Sequence, residues 1–193
     1  MAERLIIGMS GASGAPLTVE LLRQLNQNHP ELETHLIVSR GAEMTLKSET
    51  DIAPEQLRRM ACACHDIDAI GACVASGSFK TMGMVVVPCS MKTVAGIVSG
   101  YSDNLLLRAA DVCLKERRRL VLVARESPLS TVHLRNLYEA SQLGAVILPP
   151  MPAYYRRPQS LEDCTRHTVR RILSQFDLDD DGYEWEGMDG HDR

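Results

Sequence analysis

Polar residues follow three of the short apolar runs in this 193-residue sequence. They form a glycine-rich turn at 11–14, a cluster of small polar residues at 88–93, and the pair Arg125 and Glu126. Backbone N–H groups and hydroxyls suit a phosphate or the edge of a flavin ring. A carboxylate whose pKa is adjusted by its neighbours can act as a general acid or base. The three segments therefore predict a site for an anionic cofactor with proton-transfer chemistry.

Each segment also has a purely structural interpretation. The glycine turn matches neither the dinucleotide fingerprint nor the Walker motif, and such turns occur for steric reasons alone. Ser90 or Thr93 can simply cap a helix, and Arg125 can form an ordinary salt bridge with Glu126. These alternatives stay open until the segments are placed in the fold.

The intervening sequence predicts the elements that position these segments. Short, nearly continuous apolar runs are typical of strands buried on both faces of a parallel sheet, and they occur at 4–9, 35–38, 84–87, 120–124 and 145–148. Helical spacing fills the gaps, from Ala15 onward and at 41–48, 54–62, 93–118 (broken near Gly100), 131–143 and from the Ser160 cap to about Phe176. This alternation predicts an α/β fold, a three-layer doubly wound parallel sheet of Rossmann or flavodoxin-like type. In such folds the three polar segments lie at one edge of the sheet.

Composition excludes several classes of function. The net charge of −4 and the pI near 5.9 argue against a general nucleic-acid binder. The apolar run before Ser10 is too short for a signal peptide or a membrane span, which predicts a cytoplasmic protein. None of the six cysteines falls in a C-x-x-C pair, so we expect free thiols.

Two further clusters resemble metal sites only in part. Cys62, Cys64 and His65 lack a second pair of ligands at metal-site spacing, and we interpret them as a partly buried helix end. Residues 177–182 match the first half of a calcium loop, but Met188 stands where the bidentate glutamate belongs. We therefore predict no metal. We also predict a single flavin-binding domain over 1–176 and an acidic tail over 177–193.

Basic residues near two tyrosines indicate an anion pocket. Tyr154 and Tyr155 precede a proline-bounded arginine pair, and further cations recur along the chain at Arg108, Lys115, Arg156, Arg157, Arg170 and Arg171. The run at 115–119 also has a simpler explanation, since cations favour the C-terminus of a helix.

Five segments in order resemble the UbiX-like flavin prenyltransferases, including the small proteins encoded with phenolic acid decarboxylases. They are GMSGASGAPLTVELL, ETHLIVSRGAEMTL, ASGSFKTMGMVVVPCSMKTVAGI, DNLLLRAADVCLKERRRLVLVARESPL and ILPPMPAYYRRPQSLED. The resemblance covers residues 3–176. It implies a metal-independent enzyme, assembled as a homododecamer, in which reduced FMN accepts a dimethylallyl group from dimethylallyl phosphate at N5 and then C6. The product, prenylated FMN, would pass to a UbiD-like decarboxylase.

The resemblance also implies roles for individual residues. FMN would be held by Ala12, Ser13, Gly14, Ser39, Ser90, Met91, Lys92, Thr93 and Arg125. The prenyl phosphate would be held by Tyr155, Arg171, Lys115 and, from a neighbouring subunit, Arg108. Catalysis would fall to Glu126, Ser13, Glu49 and Lys115, with Glu126 relaying protons through Ser13.

Two other functions remain open on the sequence. Segments 88–93 and 103–106 resemble those of flavin-dependent peptidyl-cysteine decarboxylases. That group, however, has asparagine at the position of Lys92, and it needs a catalytic histidine before this strand. No histidine occurs between Asp66 and Thr131. A non-catalytic subunit that carries flavin would not need the second phosphate site implied by Tyr155 and Arg171.

Overall fold

Strands and helices alternate along the chain in the computed structural model, which describes residues 3–178. The strands are β1 (Arg4–Met9), β2 (Glu33–Val38), β3 (Ala63–His65), β4 (Gly83–Cys89), β5 (Arg119–Ala124) and β6 (Val146–Ile147). The α-helices are α1 (Ala15–Asn28), α2 (Arg40–Glu49), α3 (Pro54–Arg59), α4 (Met91–Val98), α5 (Leu105–Lys115), α6 (Thr131–Gln142) and α7 (Leu161–Leu173). Short 3₁₀ turns follow β3, β6 and α7.

All six strands are parallel and lie in the order β3-β2-β1-β4-β5-β6. This is the strand order of a doubly wound Rossmann sheet, and it confirms the predicted fold class. The strand order reverses between β1 and β4, where Ile6 is in register with Met84. Ligands in such sheets bind outside the carboxyl ends of the strands at that switch point.

Helices cover both faces of the sheet because successive strand side chains point to opposite sides. Within β1, Leu5 and Ile7 join the core under α1, α2, α3 and α7, whereas Ile6 joins the core under α4, α5 and α6. Nearly every residue of β1, β2, β4 and β5 is buried, as the unbroken apolar runs predicted, whereas the two edge strands β3 and β6 have no buried residue.

Two sequence predictions about elements need correction. The predicted helix 54–62 ends at Arg59, and Cys64 and His65 lie in β3, not at a helix end. This strand was missed because it has three residues and none is β-branched. The predicted break near Gly100 is confirmed, since α4 ends at Val98 and α5 begins at Leu105.

Part of the C-terminal prediction lies outside the described residues. The acidic tail with its calcium-like run falls almost wholly beyond residue 178. Among residues 3–178, no helix is both long enough and apolar enough to cross a membrane.

Candidate active site

A polar cavity with a volume of about 530 Å³ opens at the switch point of the sheet. It is lined by loops that follow β1, β2 and β4, and by the start of α5. Ser39 caps α2 and Ser90 caps α4, so two helix N-termini meet here. Lys92 adds a cation to the same wall. Two positive helix ends and a lysine make this first cavity suited to a phosphate group.

Ser10 ties two of these loops together. Its buried hydroxyl donates to the carbonyl of Pro88 at 3.0 Å and accepts the N–H of Ser90 at 2.7 Å. The Ser90 hydroxyl in turn lies 3.0 Å from that of Thr93. The pairing of β4 with β5 shifts register between Val86 and Cys89, around a proline that has no N–H to donate. The loop after β4 is thereby fixed against the loop after β1.

A second cavity of about 480 Å³ lies beside the start of α1. Ser13, Gly14, Glu49 and Arg125 supply its polar groups. Apolar surface comes from other lining residues, Pro16, Leu17, Pro150, Pro152 and Leu161. A polar edge facing an apolar wall suits a ligand with a hydrocarbon part.

Glu49 is the best-connected acid of this second cavity. One carboxylate oxygen accepts the N–H groups of Gly14 and Ala15, each at 2.9 Å. Burial opposes ionisation, but hydrogen bonds from the Ser13 hydroxyl and these two N–H groups, with the charge of Arg125, hold the pKa of Glu49 below its usual value. In this structure Glu49, and not a phosphate, is the partner of the Gly14 N–H, whereas a phosphate contact at 11–13 stays a prediction. A carboxylate of the chain itself caps α1.

The lowered pKa predicts a pH-dependent contribution of Glu49 to stability. A native pKa below the unfolded one stabilises the fold above the unfolded value, about 4.3 for glutamate, and this contribution is lost as pH falls through the native pKa. We expect Glu49→Gln to lower Tm at pH 7 and the gap to close below about pH 4. Thermal unfolding followed by circular dichroism between pH 7 and 3 measures this. A gap that stays constant over that range would contradict it.

Arg125 and Glu126 point to different surroundings. Both side chains are exposed, but only Arg125 lines the second cavity, and Glu126 accepts the N–H of Ser127 at 3.0 Å. Among the described residues no salt bridge joins the two side chains, so that alternative is not borne out within this chain. The relay from Glu126 through Ser13 stays a prediction; in this structure the Ser13 hydroxyl lies beside Glu49 and helps to lower the pKa of that acid.

Tyr155 and Arg171 both lie near His167. The rings of Tyr155 and His167 meet edge to face, with centroids 6.4 Å apart. Burial, together with the charges of Arg156, Arg170 and Arg171, lowers the pKa of His167. A neighbouring cavity of about 310 Å³ is lined by further arginines, Arg156, Arg157, Arg166 and Arg170. The predicted concentration of cations near the tyrosine pair is thus present in the fold.

Lys115 and Arg108 lie away from these cavities in their own chain. Lys115 is the last residue of α5, at the amino edge of the strands, and its ammonium lies 2.5 Å from Glu116. Arg108 bonds to Asp111 at 2.6 Å and to the Ala75 carbonyl at 3.3 Å. Within the described chain, the structure does not bring these two cations to Glu49.

Most of the remaining predicted residues line one of the two cavities. Ser39, Ser90, Lys92 and Thr93 line the first cavity, and Ser13, Gly14 and Arg125 line the second. The side chains of Ala12 and Met91 are buried, which leaves their backbone as the part able to meet a ligand.

Sequence reasoning missed several residues of the first cavity. They are Ser10, Arg40, Asp68 and Asn104, of which Arg40 and Asp68 form an ion pair of 2.7 Å. The signal for Asn104 was present, because an asparagine directly before the helical run at 105–115 is a typical cap, and it accepts the N–H of Leu107.

Comparisons with known proteins agree with this geometry. The family model described as Flavoprotein matches residues 1–169. Flavin prenyltransferase UbiX of Neisseria meningitidis is 52% identical over 189 residues, covering 97% of this chain and 99% of the relative. UbiX of Escherichia coli is 53% identical, covering 90% and 92%. A crystal structure of AnUbiX with FMN and dimethylallyl pyrophosphate is 50% identical with a TM-score of 0.93, covering 97% of this chain and 99% of that one.

A doubly wound sheet with a phosphate-type cavity at its switch point, matched by the Flavoprotein model, defines this chain as a flavoprotein with FMN as its cofactor. It belongs, more narrowly, to the UbiX family of flavin prenyltransferases. The cypemycin decarboxylase CypD, at 17% identity and a TM-score of 0.64, shares the fold alone.

Proposed function

We propose that the enzyme transfers a dimethylallyl group from dimethylallyl phosphate to reduced FMN, first at N5 and then at C6. The observation that carries this proposal is the pair of adjacent cavities. The turn after β1 contributes Gly11 to the phosphate-type cavity and Ser13 to the cavity with an apolar wall. One flavin can therefore place its phosphate in the first cavity and its ring edge at the second.

The first cavity supplies the groups that hold the FMN phosphate. Ser39, Ser90 and Thr93 offer hydroxyls at two helix N-termini, and Lys92 offers a charge. Arg125 and the Ser13 turn then border the ring. When bound in reduced form, the flavin supplies the nucleophile and an aromatic face beside an allylic cation.

The prenyl phosphate leaves as an anion, so cations must face it in the transition state. In this proposal Tyr155 and Arg171 supply a hydroxyl and a guanidinium. Both lie near His167 of α7, the helix that also gives Thr165 and Thr168 to the second cavity. The apolar wall of Pro150, Pro152 and Leu161 suits the hydrocarbon group. Burying the alkenyl group there also keeps water from the developing cation.

Proton transfer falls to acids near the ring. Glu49 is ionised at neutral pH and hydrogen-bonded to the Ser13 hydroxyl, so it can accept a proton through that hydroxyl. Glu126 projects from an exposed loop and can act when the loop is covered by a neighbour.

Lys115 and Arg108 serve the site of an adjacent subunit in this proposal. Lys115 lies at the amino edge of the sheet and Arg108 in the first turn of α5, and neither lines a cavity of the candidate active site in its own chain. A UbiX-like protein of Escherichia coli is described as dodecameric. For Lys115 to reach a neighbouring site, the amino edge of one subunit would have to lie against the carboxyl edge of another. We further propose a cytoplasmic enzyme that passes prenylated FMN to a UbiD-like decarboxylase.

The direct test is anaerobic incubation of the protein with dithionite-reduced FMN and dimethylallyl phosphate, followed by mass analysis of the extracted flavin. A gain of one C5 prenyl unit is the expected result. Unchanged FMN from a folded, flavin-loaded protein would overturn the proposal. It would favour a flavin-carrying subunit, or a peptidyl-cysteine decarboxylase, which cysteine-ending peptides would then reveal.

Removing either group assigned to the prenyl phosphate should weaken its binding selectively. We expect Arg171→Ala and Tyr155→Phe to raise the KM for dimethylallyl phosphate by roughly tenfold to a hundredfold, since each loses a hydrogen bond to a charged group. FMN affinity should stay unchanged in a fluorescence titration. Arg23→Ala, which removes a surface ion pair with Glu20, is the matched control. Equal losses of FMN and prenyl phosphate binding would contradict the assignment.

A further inference from the structure

A cluster of two histidines and a cysteine lies at the β2–β3 edge of the sheet. One ligand atom each from His35, His65 and Cys73 lies within 4.8 Å of the other two. The facing nitrogens, Nδ1 of His35 and Nε2 of His65, are 3.0 Å apart. Of the described residues, these three line neither cavity of the candidate active site.

The fold places the three side chains on one face of the sheet. His35 pairs with Ala63 and Ile37 pairs with His65, so both imidazoles project toward the same side. Cys73 begins the 3₁₀ turn Cys73–Ala75, whose Val74 packs into the core on that side. Cys64 lies between His65 and the strand start and points to the opposite face.

The imidazoles are held in a form that can bind a metal. Nδ1 of His35 faces Nε2 of His65 at 3.0 Å, so one nitrogen of each ring is turned toward the same point. Their planes are nearly parallel, with Phe79 packed edge-on against His35 at 5.1 Å. The other nitrogen of His35 lies 4.0 Å from a Glu33 oxygen that pairs with Arg4 at 2.6 Å, so no hydrogen bond to Glu33 orients the ring in this structure.

We propose that His35, His65 and Cys73 bind a zinc-type divalent cation, with one coordination position left for water or another ligand. Two nitrogens on a tetrahedral zinc lie about 3.3 Å apart, and a nitrogen and a sulfur about 3.6 Å apart. The histidine nitrogens are already near that spacing, and the exposed Cys73 needs a shift of about 1 Å. Two imidazoles and a thiolate form a set that favours zinc over magnesium or calcium.

Such a site would join the edge strand β3 to the long connection between β3 and β4. It lies apart from prenyl transfer and is compatible with metal-independent chemistry. Metal bound only by the folded state stabilises that state, so zinc should raise Tm. The pairing of His65 with His35 and Cys73, not with Cys62 and Cys64, distinguishes this cluster from the one the sequence suggests.

The test uses full-length, metal-stripped protein with Co²⁺ as a spectroscopic probe and Zn²⁺ in equilibrium dialysis, under a non-thiol reductant. We expect one ion per chain and a thiolate-to-cobalt band in the near ultraviolet. Cys73→Ser should abolish that band, and Cys73→Ser and His65→Asn should each weaken binding by roughly tenfold or more, since even outer partners are worth that much.

Cys64→Ser is the matched control, because it removes a neighbouring thiol on the other face of β3. It should retain the band, the stoichiometry and the zinc-dependent rise in Tm. The proposal is overturned if the wild type binds no ion, if the band persists in Cys73→Ser, or if Cys64→Ser loses it. Metal-free Tm values of the variants establish that each is folded.

Discussion

Replacing Glu49 with glutamine is expected to slow prenyl transfer by roughly a hundredfold or more while FMN stays bound, since a positioned acid or base contributes that much. Glutamine keeps the size of the side chain and can still accept the N–H groups of Gly14 and Ala15. It cannot take a proton from the Ser13 hydroxyl. Single-turnover measurement of prenylated flavin under anaerobic conditions, with FMN content checked by absorbance, separates chemistry from binding.

Glu43→Gln is the control for this variant because Glu43 lies on the same helix and pairs with Arg58 at the surface. Its activity should match the wild type. Glu126→Gln provides the comparison between the two candidate acids, and it should also slow product formation without loss of FMN. A Glu49→Gln enzyme that turns over normally would remove Glu49 from catalysis and leave it as the cap of α1.

Oligomers that contain both Glu49→Gln and Lys115→Ala chains are expected to be active, although each variant alone is inactive. In our proposal each centre takes Glu49 from one subunit and Lys115 from another. Co-expression of Glu49→Gln and Lys115→Ala chains, with two tags and purification on both, should give about a quarter of wild-type activity if subunits mix at random. Each variant alone should show nearly none.

The matching control places both substitutions on one chain and mixes it with wild type. If Lys115 acts on a neighbouring subunit, this mixture also gives about a quarter of full activity. If Lys115 acts within its own chain, the control gives about half and the mixture of single variants gives nearly none. The second pattern would refute the shared site.

Much of the fold could be predicted because its signals are local. Five of the strands are apolar runs, and serines at 39, 90, 130 and 160 cap the helices that follow. The strand Ala63–His65 could not be predicted, because it forms by pairing with β2 and has no apolar run of its own. Only the fold supplies that partner.

The candidate site was predictable only in part, for the same reason. Residues that follow strands, such as Ser90 and Arg125, could be assigned from their position in the sequence. The role of Glu49 depends on a contact across 35 positions with Gly14, and Ser10 reaches 80 positions to Ser90. Such pairs leave no local pattern in the sequence. Glu49 could be predicted as a site residue only from the resemblance to a family.

Helix α5 follows its cap, Asn104, at the flavin cavity and ends with Lys115 at the other edge of the sheet. Its eleven residues span about 16 Å. In an assembly where Lys115 serves the adjacent subunit, the length of α5 sets the distance between neighbouring catalytic centres. A four-residue insertion would lengthen it by about 6 Å and pull the lysine out of place without touching either cavity wall. The length of α5 would then constrain how the subunits of the whole oligomer are arranged.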